Sequence, residues 1–216
     1  MTSFVYAPPA GDPPILFAED DLLAVDKPAG LLSVPGRGPD RADCLIARLR
    51  ARFPQVLLVH RLDLDTSGVI VFALTPQAQA HLGRQFEHRR VQKRYVALVA
   101  GHPAEAKGRV DLPLIVDWPN RPRQKVCHET GRPAQTAWRV LRTEGPNARL
   151  RLTPRTGRSH QLRVHIQAMG HPILGDPLYA GGAAADWPRL MLHAEELRLT
   201  HPQTGAPLKL RAKTPF

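Results

Sequence analysis

Six apolar residues in unbroken succession, Val69-Ile70-Val71-Phe72-Ala73-Leu74, follow directly on the turn-forming Thr66-Ser67-Gly68. A short run rich in β-branched residues and introduced by a turn predicts a strand buried on both faces. The polar stretch before it, His60-Arg61-Leu62-Asp63-Leu64-Asp65, then forms a tight loop beside a rigid core strand. A catalytic group gains from being held still in such a place. The same residues also suit plain turn chemistry, in which Asp63 and Asp65 bond backbone amides.

The chain has 216 residues, enough for one large domain or two small ones, and 43% of them are apolar, enough for a sizeable core. Lysine and arginine number 30 against 19 aspartate and glutamate, a net charge of +11. An excess of that size argues for a polyanionic partner, nucleic acid first and an anionic membrane surface second. No basic amphipathic segment stands out and no apolar run approaches a membrane span, so no membrane partner is expected. Cys44 and Cys127 lie far apart, which fits a reducing compartment without a disulfide framework. The first fourteen residues contain acidic and proline residues rather than a basic-then-apolar signal, and read as an arm on the surface. A cytoplasmic protein is expected. His160 and His165 are five apart, on different faces of a helix, and no Cys/His cluster has ligand spacing, so no metal site is expected.

Ile15-Leu16-Phe17 and Leu22-Leu23-Ala24-Val25 flank an acidic turn and predict a hairpin. Lys27-Pro28-Ala29-Gly30 follows, as an ordinary turn with a structural lysine. Asp43 is placed to cap a helix reaching about Phe53. Thr75-Pro76 caps a second helix, with Ala78, Leu82 and Phe86 on its buried face. His88-Arg89-Arg90 ends it, and Lys93-Arg94 follow; these cations complement a helix C-terminus or bind phosphate. Lys93 to Val99 reads as a strand, where Tyr95 taken alone suits core packing. In residues 108–137 the prolines at 119 and 122 break regular structure. Trp118 sits there among Arg121, Arg123 and Lys125, an aromatic interleaved with cations that suits base stacking beside phosphate contacts. A solvated basic loop around a buried tryptophan fits the same letters. A hairpin spans 136–143 and 148–153. Ser159 is placed to cap a helix that buries Leu162, Ile166 and Met169 and stops at Gly170. Arg158 stands at its start, where backbone amides favour an anion; His160 and Arg163 share a face. A final strand pair covers about 189–199 and 207–211. Strands outnumber helices and come mainly as hairpins, so the fold class is α+β with a mostly antiparallel sheet.

His60-Arg61-Leu62-Asp63, two variable positions and Thr66-Ser67-Gly68 resemble the nine-position signature of the RluA-type pseudouridine synthases. The likeness continues through Lys27-Pro28-Ala29-Gly30, the strand carrying Tyr95, the segment from Thr156 to His165 and the run from His171 to Pro177, so it covers nearly the whole chain from Ile15. It implies one bent mixed sheet with flanking helices and a central cleft, and a single catalytic domain over 15–216; the N-terminal S4 RNA-binding domain that many relatives carry has no room here and is not expected. It implies an isomerase without cofactor, with Asp63 as catalytic carboxylate, Tyr95 against the target base and Arg163 paired with the carboxylate. Segment 108–137 is similar to the family branch with dual tRNA and ribosomal RNA specificity. That implies a tRNA anticodon stem-loop (uridine 32) and a 23S rRNA hairpin (uridine 746) as substrates of a monomeric enzyme.

Making pseudouridine breaks the ribose bond to uracil N1, turns the base and rejoins it through C5. The step needs an ionised carboxylate, a cation to favour that ionisation and a flat group against the uracil. Arg61, two residues from Asp63, is the candidate to fill the space left by a flipped uridine. Arg61, Arg89, Arg90, Lys93, Trp118, Arg121, Arg123, Lys125, Arg158 and His160 are the candidate RNA contacts. Two other readings suit the residues. A non-catalytic RNA-binding module needs only the charge and Trp118. A glycosidase would use Asp63 and Asp65 as an acid/base pair.

Overall fold

A computed structural model describes residues 5–216, so residues 1–4 of the expected arm lie outside the described residues. The chain forms two compact units, residues up to 91 together with 196–213, and residues 92–195 together with 214–216.

In the first unit, β1 (Ile15–Ala18) and β2 (Leu22–Lys27) make the predicted antiparallel hairpin. β2 pairs antiparallel with β4 (Ser67–Ala73), the strand of the apolar run, and the short β3 (Leu57–Leu58) pairs with β4 as well. Every residue of β4 is buried, as a strand without polar alternation requires. Thr75 caps α2 (Pro76–Glu87) as expected, its hydroxyl accepting from the Ala78 amide at 3.2 Å. Ala78 and Leu82 are buried, while Phe86 is half-buried and stacks on His60 with ring centroids 4.4 Å apart. The first helix, α1 (Leu45–Arg52), departs from expectation at its start. Cys44 occupies the cap position, and Asp43 instead receives the Arg48 guanidinium on both oxygens, at 2.8 and 2.6 Å. A bidentate ion pair is stronger than a single amide bond, so the carboxylate turns to the side chain five residues on. The described part of the arm lies against this helix. The Tyr6 hydroxyl donates to the Asp43 carbonyl at 2.9 Å, and Arg48 reaches the Gly11 carbonyl at 2.7 Å.

In the second unit, β5 (Gln92–Ala100), β10 (Asn147–Pro154), β9 (Gln135–Glu144) and β6 (Lys107–Asp111) lie side by side in that order, each pair antiparallel. Leu152 is the register partner of both Tyr95 and Trp138, so these three share one face of the sheet. α3 (Gln161–Ala168) buries Leu162 and Ile166 in the core with Ala97, Val99, Trp138, Leu150 and Leu152. Met169, expected in the core, is half-buried beyond the helix end. A separate two-stranded ribbon, β7 (Leu114–Val116) and β8 (Gln124–Val126), carries residues 117–123 at its tip. The predicted irregular segment is therefore a hairpin with a proline-broken tip. β11 (Leu192–Thr200) and β12 (Pro207–Arg211) form the expected last pair, with β11 entering the first unit at Glu196. Among the described residues no helix is long and apolar enough to cross a membrane.

Candidate active site

The loop before β4 is held from both sides by the segment that follows β2. The Ser33 hydroxyl donates to the Leu62 carbonyl at 2.8 Å and accepts from the Leu62 amide at 3.2 Å. Two residues on, the Leu64 carbonyl accepts from the Gly30 amide at 3.0 Å and from the Lys27 ammonium at 2.9 Å. Gly30 has φ +78°, a left-handed conformation that a side chain would strain. Lys27 is wholly buried and also donates to the carbonyls of Pro28 (2.9 Å) and Leu31 (2.7 Å). Its role is structural, as the sequence indicated, and it is larger than that of a turn residue. Further along, His60 accepts the Val71 amide at 3.0 Å, which ties the start of the loop to β4.

Asp63 lies between these two fixed points, half-buried, with Leu62 buried before it and Arg61 exposed. The turn is closed by its backbone, whose carbonyl accepts from the Thr66 amide at 3.2 Å. Among the described residues its carboxylate makes no hydrogen bond within the loop. The plain turn reading, in which that carboxylate is used up on backbone amides, does not describe Asp63.

In the second unit Arg163 is 2% exposed in spite of its charge. Its guanidinium forks onto Asp176, which is fully buried, through Nε at 2.7 Å and a terminal nitrogen at 2.6 Å. Asp176 also accepts the amides of Leu178 (2.9 Å) and Tyr179 (3.0 Å), so four donors face one carboxylate. Tyr179 collects the neighbours. Its hydroxyl accepts the Gln124 amide of β8 at 2.7 Å and shares a hydrogen bond with His160 Nδ1 at 2.8 Å. The guanidinium groups of Arg163 and Arg123 lie 5.1 and 5.3 Å from its ring centroid. Burial pushes its phenol above the ordinary value, so it stays neutral at physiological pH.

The start of α3 differs from expectation. His160, in the left-handed region at φ +52°, takes the cap position and Ser159 does not cap. The loop before the helix is anchored by Gln161 instead. Its side-chain carbonyl accepts from the Thr156 hydroxyl (2.7 Å) and the Arg158 amide (3.0 Å), and its amide group donates to Gln135 and Thr136, both at 3.0 Å. Every polar atom of this buried side chain is satisfied. His165 is wholly buried between the Thr136 hydroxyl (2.9 Å) and the Leu112 carbonyl (3.0 Å). A carbonyl only accepts, so Nε2 carries the proton. Burial holds the ring's pKa below its ordinary value, and the ring is neutral.

The remaining candidates divide by exposure. Arg89 and Arg90 are exposed at the end of α2, with Arg89 left-handed at φ +57°. Trp118 is 64% exposed at the ribbon tip, so the buried tryptophan alternative is set aside; the Arg121 guanidinium lies 4.0 Å from its ring centroid. Lys125 is exposed, 3.7 Å from Asp117. Lys93 is half-buried and donates to the Thr156 carbonyl at 3.1 Å, and Arg158 reaches the Pro133 carbonyl at 3.3 Å. Tyr95 is half-buried on β5. The structure thus brings Arg163, His160 and Arg123 together around Tyr179, and brings Arg61 and Asp63 together on one clamped loop. Sequence reasoning gave no role to Ser33, Asp176 or Tyr179. The last two lie within or beside the run from His171 to Pro177, but no local spacing marks them as partners of Arg163.

Residues 21–168 match the family model described as RNA pseudouridylate synthase. The dual-specificity RNA pseudouridine synthase RluA of Escherichia coli K12 is 55% identical over 204 residues, 94% of this chain and 93% of that protein. The protein of the same name from Yersinia pestis is 52% identical, over 94% and 99% of the two chains. Among solved structures, human RNA pseudouridylate synthase domain containing 1 superposes with a TM-score of 0.78 at 31% identity, covering 97% of this chain and 87% of that one.

Proposed function

This chain belongs to the RNA pseudouridylate synthase family, and from that premise we propose that Asp63 is its catalytic carboxylate, with Tyr95 and Arg163 completing the chemistry. The protein is an RNA pseudouridine synthase, an isomerase that converts uridine within RNA to pseudouridine. The glycosidic bond to N1 breaks, a bond to C5 forms, the C5 hydrogen leaves as a proton and N1 takes up a proton, so the product is an isomer and no electrons are exchanged.

The observation that carries the assignment is the clamp around Asp63. Leu62 and Leu64 are both fixed by hydrogen bonds, and the turn is closed by the Asp63 carbonyl rather than by its carboxylate. A carboxylate oxygen is thereby presented on a rigid segment, the arrangement a nucleophile or base requires. Arg163 supplies the positive charge, aimed by its fork to Asp176. Tyr95 supplies the flat face for the uracil. Arg61 fills the stack that the flipped uridine leaves, a departure that costs a few kcal/mol. A single chain carries all these groups, and the enzyme acts as a monomer.

The excess of +11 charges supports phosphate contacts as the main source of affinity, with Arg89, Arg90, Trp118 and Arg121 on exposed positions. The dual specificity named for the curated relatives supports two RNA substrates; the family resemblance makes these a tRNA anticodon stem-loop and a 23S rRNA hairpin. The test is incubation with tRNA and 23S rRNA transcripts, followed by mapping of new pseudouridines. Modification of both transcripts is expected, at one loop uridine in each. Product in neither contradicts the substrate assignment.

A further inference from the structure

The sheet of the second unit has a second face, turned away from Tyr95, and it carries a row of arginine and lysine. Trp138 and Tyr95 share the face that α3 covers. A Cβ on Gly108 would come within 2.8 Å of the Trp138 ring, which places Gly108 on that same face. Side chains alternate along a strand, so Lys107 and Arg109 on β6, Arg139 on β9 and Arg151 on β10 project from the opposite face. The register sets three of them in one line across three strands: Lys107 opposite Arg139, and Arg139 opposite Arg151.

This line is unfavourable for the isolated protein. Directly opposed like charges on neighbouring strands, about 4.8 Å apart, destabilise a sheet. Glu144 engages Arg142 and Arg149, at 2.7 Å for Arg142, and among the described residues no ion pair reaches Lys107, Arg109, Arg139 or Arg151. The Nε of Arg151 is buried without a hydrogen-bond partner among the described residues, a further cost. Lys107, Arg109 and Arg139 are exposed. Guanidinium forks match phosphate oxygens bidentately, and a row of cations matches a row of phosphates.

We propose that this outer face of β6, β9 and β10 binds the phosphate backbone of substrate RNA beyond the stem-loop that holds the target uridine. The inference rests on the RNA pseudouridine synthase reading. It adds a second contact surface, on the face of the sheet opposite Tyr95, for helices that flank the modified loop. RNA is favoured over an acidic protein because the cations are evenly spaced along a line and their charge is uncompensated.

The test compares two substrates, a minimal stem-loop and a 23S rRNA transcript in which the same loop keeps its flanking helices. Lys107→Ser combined with Arg139→Ser removes two exposed cations and both like-charge contacts of the row. The double variant is expected to keep its kcat/KM on the stem-loop within about twofold. On the long transcript it should lose about tenfold at low salt, with a log-log salt slope shallower by about two. Its Tm should not fall. The charge-conserving pair Lys107→Arg with Arg139→Lys should restore the rate on the long transcript. Equal losses on both substrates, or no loss on the long one, would overturn the proposal. Product formed on the stem-loop by the variant would leave the assignment of Asp63 standing in either case.

Discussion

Asp63 and Arg163 are held in place by opposite means. The Asp63 loop is fixed through its backbone: a hydroxyl, an amide and a buried ammonium grip the peptide groups on either side, and the carboxylate takes no part in that grip. Arg163 is fixed through its own functional group, by a buried fork to Asp176 that is itself held by two amides. The first arrangement leaves the charged atoms available for chemistry. The second orients a cation at the expense of part of its charge. Function therefore has different sensitivities in the two regions, and substitutions can separate them.

The largest effect on stability is expected in the second region. Asp176→Asn takes one buried negative charge from the Arg163 guanidinium, and breaking a buried pair costs about 3–5 kcal/mol. Chemical denaturation should show the loss, together with reduced activity as Arg163 loses its aim. A variant as stable as wild type would mean that the fork contributes little. In the first region, Lys27→Met leaves the carbonyls of Pro28, Leu31 and Leu64 without their shared donor. A loss of about 2 kcal/mol is expected, at roughly 1 kcal/mol for each of the Pro28 and Leu31 carbonyls, since Leu64 keeps the Gly30 amide. It should lower kcat more than RNA affinity, because the loop that presents Asp63 loosens while the phosphate contacts remain.

These two regions also differ in how far the letters alone disclosed them. The Asp63 loop, the buried strand β4 and the Thr75 cap are contiguous, so turn residues, an apolar run and a signature could be read together. Lys27 and Leu64 are 37 residues apart, and their contact carries no local signal. The hub of the second region is more dispersed still. Tyr179 meets Gln124 across 55 residues and His160 across 19, and Asp176 follows Arg163 by 13. Pairings at such distances depend on which strands become neighbours, and periodicity does not report that. The missed caps have a common cause. Asp43 and Ser159 are good cap residues by type, but Arg48 offered Asp43 a stronger partner, and Gln161 already anchors the loop before α3.

The smallest effect concerns pH and belongs to the second region alone. His165 has a folded pKa depressed by burial, so below the ordinary value of 6.5 the unfolded chain binds a proton that the folded one refuses. Stability supported by the neutral ring is complete above that value and is lost as pH falls from about 7 toward the folded pKa. His165→Gln, which keeps a side chain able to donate to Leu112, should flatten this part of the profile. An unchanged slope between pH 7 and 5 would assign it to other groups.

The central claim is that Asp63, and not its neighbour Asp65, performs the chemistry. The most direct measurement is release of the uracil C5 hydrogen from labelled stem-loop RNA under single-turnover conditions. Asp63→Asn preserves shape and hydrogen-bonding capacity but removes the charge, so the account predicts no release, with Tm and RNA affinity close to wild type. Asp65→Asn should retain most of its activity. Substantial release by Asp63→Asn, or an Asp65→Asn variant equally inactive at wild-type stability, would contradict the assignment.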